Sequence, residues 1–253
     1  MQAEARKIRI SAILEEREYV SLEDLAREIG ASPSTIRRDL IDLEKDGVLK
    51  RTHGGARNMQ QEAQDEYAFR VRQSRRLKEK QLIAARAAKL VTPQSCIILD
   101  TGTTVYEVAR CLEDKIPQML TNSLPVANLY GSSAAVEVIV SGGVLYPRLG
   151  ALVGPLAERF FGEVNASLAI MGGDGLTPEG IFNSHTLLID IQRKMMQAAD
   201  QVVFCLDGSK LGRRSMSRLC PPEEIDLVIT DRSADEKVVA ELRAAGIQIE
   251  VVG

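Results

Sequence analysis

Between residues 96 and 252, short runs of aliphatic and β-branched residues alternate with amphipathic segments of helical length. The runs are CIILD (96–100), PQMLTN (117–122), VEVIVSGG (136–143), SLAIMGGDG (167–175), QVVFCLDGSK (201–210), DLVITD (226–231) and QIEVV (248–252). Near-continuous apolar runs of this length are strands buried on both faces, which is the signature of a parallel sheet. Helical patterns near 104–112, 124–130, 154–161, 187–199 and 234–244 supply the crossovers that cover it. An α/β fold with a mostly parallel sheet follows for residues 77–253, opened by a helix over 77–90 that carries Ile83, Ala84, Ala87 and Ala88.

The strands end in DTGTT, TN, SGG, GGDG, DGSK and TD. In open parallel sheets ligands bind beyond the carboxyl ends of strands, where loops and helix N-termini converge. Candidate ligand contacts are therefore Asp100, Gly102, Thr103, Thr104, Asn122, Gly142, Gly143, Asp174, Gly175, Asp207 and Lys210. Gly102, Thr103 and Thr104 sit at a strand-to-helix turn whose hydroxyls and N–H groups suit an anion. Asp100, Asn122, Asp174 and Asp207 suit sugar hydroxyls, and Lys210 suits a phosphate. The same residue types also end strands as ordinary turns. Neither G-x-G-x-x-G nor a Walker motif is present, so no nucleotide cofactor is expected.

Residues 1–58 have a different rhythm. A first helix over 4–17 carries Ile8, Ile10, Ile13 and Leu14 on its apolar side. A second begins at Ser21, with Asp24 as a capping-box partner, and repeats Leu22, Leu25, Ala26 and Ile29 at helical spacing. Gly30 ends it, Ser32 caps a third helix, and Pro33 takes the first position. Two helices on so tight a turn make a helix-turn-helix. On the third, Ile36, Leu40 and Leu43 form the buried stripe; Ser34, Arg38, Ile41 and Lys45 lie opposite, with Thr35 and Arg37 on the flanks. Such a helix fits the major groove, Ser34 and Arg38 at base edges and Thr35 and Arg37 at phosphates. It ends at Gly47, and Lys50, Arg51, Thr52 and His53 then form a hairpin, or wing, for the sugar-phosphate backbone. Against this stands the charge: eleven Lys and Arg meet eleven Asp and Glu in residues 1–58, with Asp39, Asp42, Glu44 and Asp46 on the reader helix itself. Binding to a polyanion needs local cations rather than net charge.

Residues 59–76 are polar and read as a linker whose arginines (Arg70, Arg72, Arg75, Arg76) suit a solvated helix. The net charge is −3 and no run is long and apolar enough for a membrane span. The start MQAEARKIRI lacks the apolar core of a secretory signal. Four dispersed cysteines and two histidines indicate reduced thiols in a cytoplasm, no disulfide frame and no metal site.

From Arg9 to Ala56, with TIRRDL and GVLKRTHGGA at its centre, the chain closely resembles the winged helix-turn-helix of the DeoR family of bacterial transcription regulators. DTGTT, TNSLPVAN, SGGVLYPRLGALVGPLAE, GGDGLTPEGI and DGSKLGR resemble that family's effector domain in order and spacing. The resemblance implies that Ser32, Ser34, Thr35, Arg37, Arg38, Lys45, Lys50, Arg51, Thr52 and His53 form an interface for double-stranded operator DNA. It also implies a second domain similar in fold to ribose-5-phosphate isomerase and the coenzyme A transferases, sensing a small phosphorylated sugar. A homodimer or higher even-numbered assembly goes with it. Family members usually carry Glu-x-x-x-Lys-Arg in the helix before DGSK; here Leu188 and Gln192 precede Arg193, so an acid and a cation are missing. The expectation is a repressor of carbohydrate-metabolism genes, without cofactor, relieved by a sugar phosphate or related metabolite. Two alternatives are an isomerase-like enzyme using Asp100, Asp174, Asp207 and Lys210, and a DNA-binding protein with no effector.

Overall fold

The computed structural model describes residues 3–16, 19–45, 48–52, 54–58, 69–93, 95–112, 118–131, 133 and 136–253. Two compact units divide the chain, Met1–Arg72 and Gln73–Gly253.

The first unit runs α1 (Ala3–Glu16), β1 (Tyr19–Ser21), α2 (Leu22–Ile29), α3 (Pro33–Lys45), β2 (Leu49–Thr52) and β3 (Gly55–Asn58). β2 and β3 pair antiparallel as a hairpin, and β1 adds to the far side of β3. That third strand requires a glycine at position 55, because a Cβ there would stand 2.1 Å from the Val20 carbonyl oxygen. Ile10, Leu14, Val20, Leu25, Ile36, Leu40, Leu43 and Leu49 form one buried core. Truncating any of the leucines or isoleucines to alanine would cost about 2–5 kcal/mol. Ile8, expected on the inner side of α1, is 67% exposed. The buried pair is Ile10 and Leu14, one turn apart, and Ile8 lies two residues out of that phase. The expected helix end at Gly47 falls outside the described residues.

The second unit opens with a short helix that begins before its boundary, α4 (Phe69–Ser74), and continues with α5 (Leu77–Ala87). There follow β4 (Cys96–Leu99), α6 (Thr103–Arg110), β5 (Gln118–Thr121), α7 (Leu124–Leu129), β6 (Val138–Val140), β7 (Val144–Tyr146), β8 (Ala151–Val153) and α8 (Pro155–Gly162). The rest is β9 (Leu168–Met171), β10 (Gly175–Thr177), β11 (Gly180–Asn183), α9 (Thr186–Gln197), β12 (Val202–Cys205), β13 (Ser217–Cys220), β14 (Leu227–Asp231), α10 (Glu236–Ala244) and β15 (Ile249–Val252).

Seven strands make a wholly parallel sheet in the order β15-β14-β12-β9-β4-β5-β6. β4, first in sequence, lies inside it. The chain leaves β4 toward β5 and β6, then crosses back to β9 and proceeds outward to β15. The strand order therefore reverses between β4 and β9, and their carboxyl ends diverge there. One apolar cluster fills one face of the sheet around Phe161, Met195 and Phe204; a second, around Ile83, Val105 and Val108, fills the other.

Two antiparallel additions escape the strand pattern of the sequence: the hairpin β7–β8, and a three-stranded sheet of β10, β11 and β13. The run expected as one strand over 167–175 is accordingly two elements, with β9 ending at Met171 and β10 starting at Gly175. Among the described residues no helix is long and apolar enough to cross a membrane.

Candidate DNA-reading face and sensor crevice

The reader begins at its caps. Ser21 Oγ accepts from the Asp24 N–H at 3.1 Å and donates to the Asp24 carboxylate at 2.7 Å. Gly30 closes α2 in the left-handed conformation, φ 71°. Ser32 Oγ accepts from the Thr35 N–H at 3.2 Å and lies 2.9 Å from Ser34 Oγ and 2.8 Å from Thr35 Oγ1. Three hydroxyls thus gather at the N-terminus of α3. Ser34, Arg37, Arg38 and Lys45 are exposed, opposite the buried Ile36, Leu40 and Leu43.

Three of the four acids that argued against a polyanion site are used internally, and the fourth, Asp46, lies outside the described residues. Asp39 is buried and accepts two bonds from Arg6, at 2.6 and 3.0 Å. Asp42 pairs with Lys7 at 3.1 Å. Glu44 accepts from the Arg51 N–H at 2.9 Å and from its guanidinium at 2.7 Å, and these bonds hold the Glu44 carboxyl below its usual range. With those charges matched, the outer side of α3 keeps its cations. In this structure the side chain of Arg51, expected at the DNA backbone, ties the wing to α3 through Glu44. Lys50 is exposed on the wing and Thr52 is half-buried; His53 lies outside the described residues.

In the second unit the switch between β4 and β9 holds a buried polar cluster. Asp100, fully buried, accepts from the Gly172 N–H at 3.1 Å and so joins the two diverging loops. Gln192 Nε2 donates to the same carboxylate oxygen at 2.6 Å, while Gln192 Oε1 accepts from Asn183 Nδ2 at 2.9 Å. The glutamine that departs from the family pattern is therefore a buried bridge. Leu188, one turn earlier on α9, lies in the apolar core.

Asp174 accepts from Lys210 Nζ at 3.2 Å, from the Ser184 N–H at 3.1 Å and from the Ser184 hydroxyl. Burial alone would raise the Asp174 pKa, but the Lys210 charge and the Ser184 bonds prevail and hold it below the usual value. Asp207 accepts from the Ser209 N–H at 3.1 Å, capping a 3-10 turn over Gly208–Lys210, and faces the Arg76 guanidinium at 3.7 Å. Gly102 heads α6 with φ 142°, a region that favours glycine; Thr103 behind it is buried and Thr104 half-buried.

Four candidates have other work. Asn122 is 0% exposed; its side-chain amide donates to the Leu152 carbonyl at 3.2 Å, and its main-chain carbonyl accepts from the Leu152 N–H at 2.8 Å. It clamps β8 to the end of β5. Gly175 is buried, and a Cβ there would stand 2.1 Å from the Arg213 carbonyl oxygen, so it serves a close backbone approach. Gly142 and Gly143, with φ of 67° and 116°, turn the chain into β7; a Cβ on Gly143 would meet the Val153 carbonyl at 2.7 Å. The sequence reading overlooked Asn183 and Ser184, which no motif marks. Among the described residues no three His, Cys, Asp or Glu side chains are arranged to hold a metal ion.

A winged helix with a cationic outer face, followed by a parallel sheet with a polar crevice at its switch point, defines a DNA-binding regulator with a sensor domain. The profile of the DeoR-like helix-turn-helix domain matches residues 6–62, and that of the DeoR C-terminal sensor domain matches residues 75–232. The HTH-type transcriptional regulator GlpR of Haloferax volcanii is 35% identical over 250 residues, 96% of either chain. The uncharacterized HTH-type transcriptional regulator YulB of Bacillus subtilis is 31% identical over 248 residues, 98% of this chain and 96% of that protein. The chain belongs to the DeoR family of transcriptional regulators; such relatives are named as regulators and not as enzymes. Ribose 5-phosphate isomerase A of Methanocaldococcus jannaschii aligns over 52% of each chain with a TM-score of 0.38 and 18% identity. The sheet order above, rather than that partial overlap, defines the fold.

Proposed function

We propose that this regulator is a repressor of carbohydrate-metabolism genes, released from operator DNA by a small phosphorylated sugar or a related metabolite. The observation that carries the DNA half is the internal pairing of Asp39, Asp42 and Glu44 with Arg6, Lys7 and Arg51. It leaves α3 facing outward with hydroxyls and guanidinium groups, the chemistry that base edges and phosphates accept. Ser34 and Arg38 read bases, and Ser32, Thr35, Arg37, Lys45, Lys50, Thr52 and His53 hold the backbone. For the effector half, Asp100, Asp174 and Asp207 supply acceptors for sugar hydroxyls. The α6 N-terminus at Gly102, Thr103 and Thr104, with Lys210, suits a phosphate. Gln192 in place of a lysine puts a neutral amide beside the Asp100 carboxylate, so hydroxyl recognition weighs more than phosphate charge.

The protein works in the cytoplasm as a homodimer or higher even-numbered assembly, since paired half-sites about 10 bp apart match paired readers. The test is binding to operator fragments selected from genomic DNA. Arg38→Ala should lose about 1–3 kcal/mol on the selected site and relax specificity. Lys50→Ala should weaken selected and random duplexes alike. Equal losses for both variants on both DNAs would remove the proposed division of roles. A thermal-shift screen of sugar phosphates and free polyols identifies the effector, because a ligand of the folded state raises Tm.

A further inference from the structure

Residues 69–87, FRVRQSRRLKEKQLIAARA, contain neither proline nor glycine and are rich in helix-forming Arg, Lys, Gln, Leu and Ala. By propensity they should form one continuous helix. The structure has two, with α4 ending at Ser74 and α5 starting at Leu77. Arg76 makes the break: its φ of 51° and ψ of 42° are left-handed, and it is the one non-glycine residue with positive φ among those described. An L side chain keeps that conformation only where its surroundings impose it.

The surroundings are the rim of the crevice. The Arg76 guanidinium donates to Ser233 Oγ at 3.1 Å and faces Asp207 at 3.7 Å. Lys80, 5% exposed, donates to the Arg75 carbonyl at 2.6 Å and so occupies an acceptor that a continuous helix would use. Asp207 and Ser233 belong to loops that are locked together. Gly208 N–H donates to Asp231 at 2.7 Å, and a Cβ on Gly208 would stand 2.3 Å from Ala234 N. From Asp207 the contacts lead inward, through the Lys210 N–H bond to the Asp207 carbonyl and the Lys210–Asp174 pair.

We propose that Arg76 is a two-position switch that links occupancy of the crevice to the course of the linker. A ligand hydroxyl that takes Asp207, or a ligand phosphate that takes the guanidinium, removes what holds Arg76 left-handed. Arg76 then returns to the right-handed region, residues 69–87 become one helix, and the chain preceding Arg75 is redirected. The trigger rests on the proposed effector site, whereas the two forms of the segment do not.

Amide hydrogen exchange separates the two forms. In the broken form the first bond of α5 runs from the Lys80 N–H to the Arg76 carbonyl at 3.1 Å, so Leu77, Lys78 and Glu79 are first-turn amides without acceptors in α5. In the continuous helix they donate to Gln73, Ser74 and Arg75. Exchange at residues 77–79 of the full chain should therefore slow by about tenfold or more in Arg76→Ala, which loses the guanidinium and disfavours the left-handed region. It should stay fast in Arg76→Gly, which loses the same guanidinium but accepts that region. Asp207→Asn should slow it as well, with the protection of β9 unchanged in all three variants. Equal exchange in the alanine and glycine variants, or an alanine variant no slower than wild type, would overturn the switch. Separation of those two variants with no response of the wild-type chain to ribose 5-phosphate would uphold the switch and count against the proposed effector.

Discussion

Replacing Gln192 by leucine tests the floor of the crevice. Gln192 is 1% exposed and bridges Asp100 at 2.6 Å to Asn183 at 2.9 Å. Leucine has nearly the same volume, so no cavity opens and the loss is polar. An acceptor on a carboxylate and an amide donor each lose a partner in a buried setting. Such groups cost about 1–3 kcal/mol each, the charged one at the upper end. Leucine recovers part of this, because its side chain needs no hydrogen bond in a dry site. A net loss of about 2–4 kcal/mol is expected. For a unit of this size each kcal/mol moves Tm by about 2–4 °C, so Tm should fall by roughly 5–15 °C. The chain has no tryptophan, and far-UV circular dichroism during heating and urea unfolding is the suitable probe. Gln192→Lys should lose less, since an ammonium group can face Asp100. A leucine variant within about 0.5 kcal/mol of wild type, the range of ordinary surface changes, would refute the bridge.

Glu44→Gln should release Arg51 from α3, raise affinity for random duplex DNA, and steepen the salt dependence by about one charge; fluorescence anisotropy against salt concentration measures this. An unchanged slope would mean that Arg51 never reaches a phosphate. The depressed pKa of Asp174 implies stability that is complete above the ordinary carboxylate pKa and lost as pH falls through the lower folded value. Lys210→Ala should therefore lower Tm at neutral pH by an amount worth no more than about 1 kcal/mol, and converge on wild type near pH 2. A gap between the two curves that persists in strong acid would contradict the pairing.

The parts legible in the sequence were those set by local rules. Ser21 with Asp24, Gly30 and Pro33 mark helix ends within a few residues, and both ends of α2 and the start of α3 fall on those marks. Strands buried on both faces announce themselves as apolar runs, and the parallel sheet follows from them. Pairings between distant residues were not legible. Arg6 with Asp39 and Arg51 with Glu44 join different elements, so the acids on α3 looked like a net cost to DNA binding until the fold matched them. Strands of three and four residues, such as β7, β10 and β11, are too short for a period to register. The clamp made by Asn122 was not legible either, because an asparagine at a strand end can face a ligand or hold a neighbouring strand with the same chemistry. Arg76 gave no signal, since its backbone is set by Asp207 and Ser233 and by no breaker in its own segment.

The position of β4 inside the sheet has a consequence for synthesis. Ile97 pairs with Met119 on one side but with Leu168 on the other. At usual elongation rates the second partner leaves the ribosome on the order of several seconds after the first. Through that interval β4 presents an open edge to other nascent chains, while the complete winged unit has already emerged and, as a small fold of near-neighbour contacts, has had time to form. A ribosome stalled between β6 and β9 would therefore carry a finished hand on DNA with no sensor to loosen it.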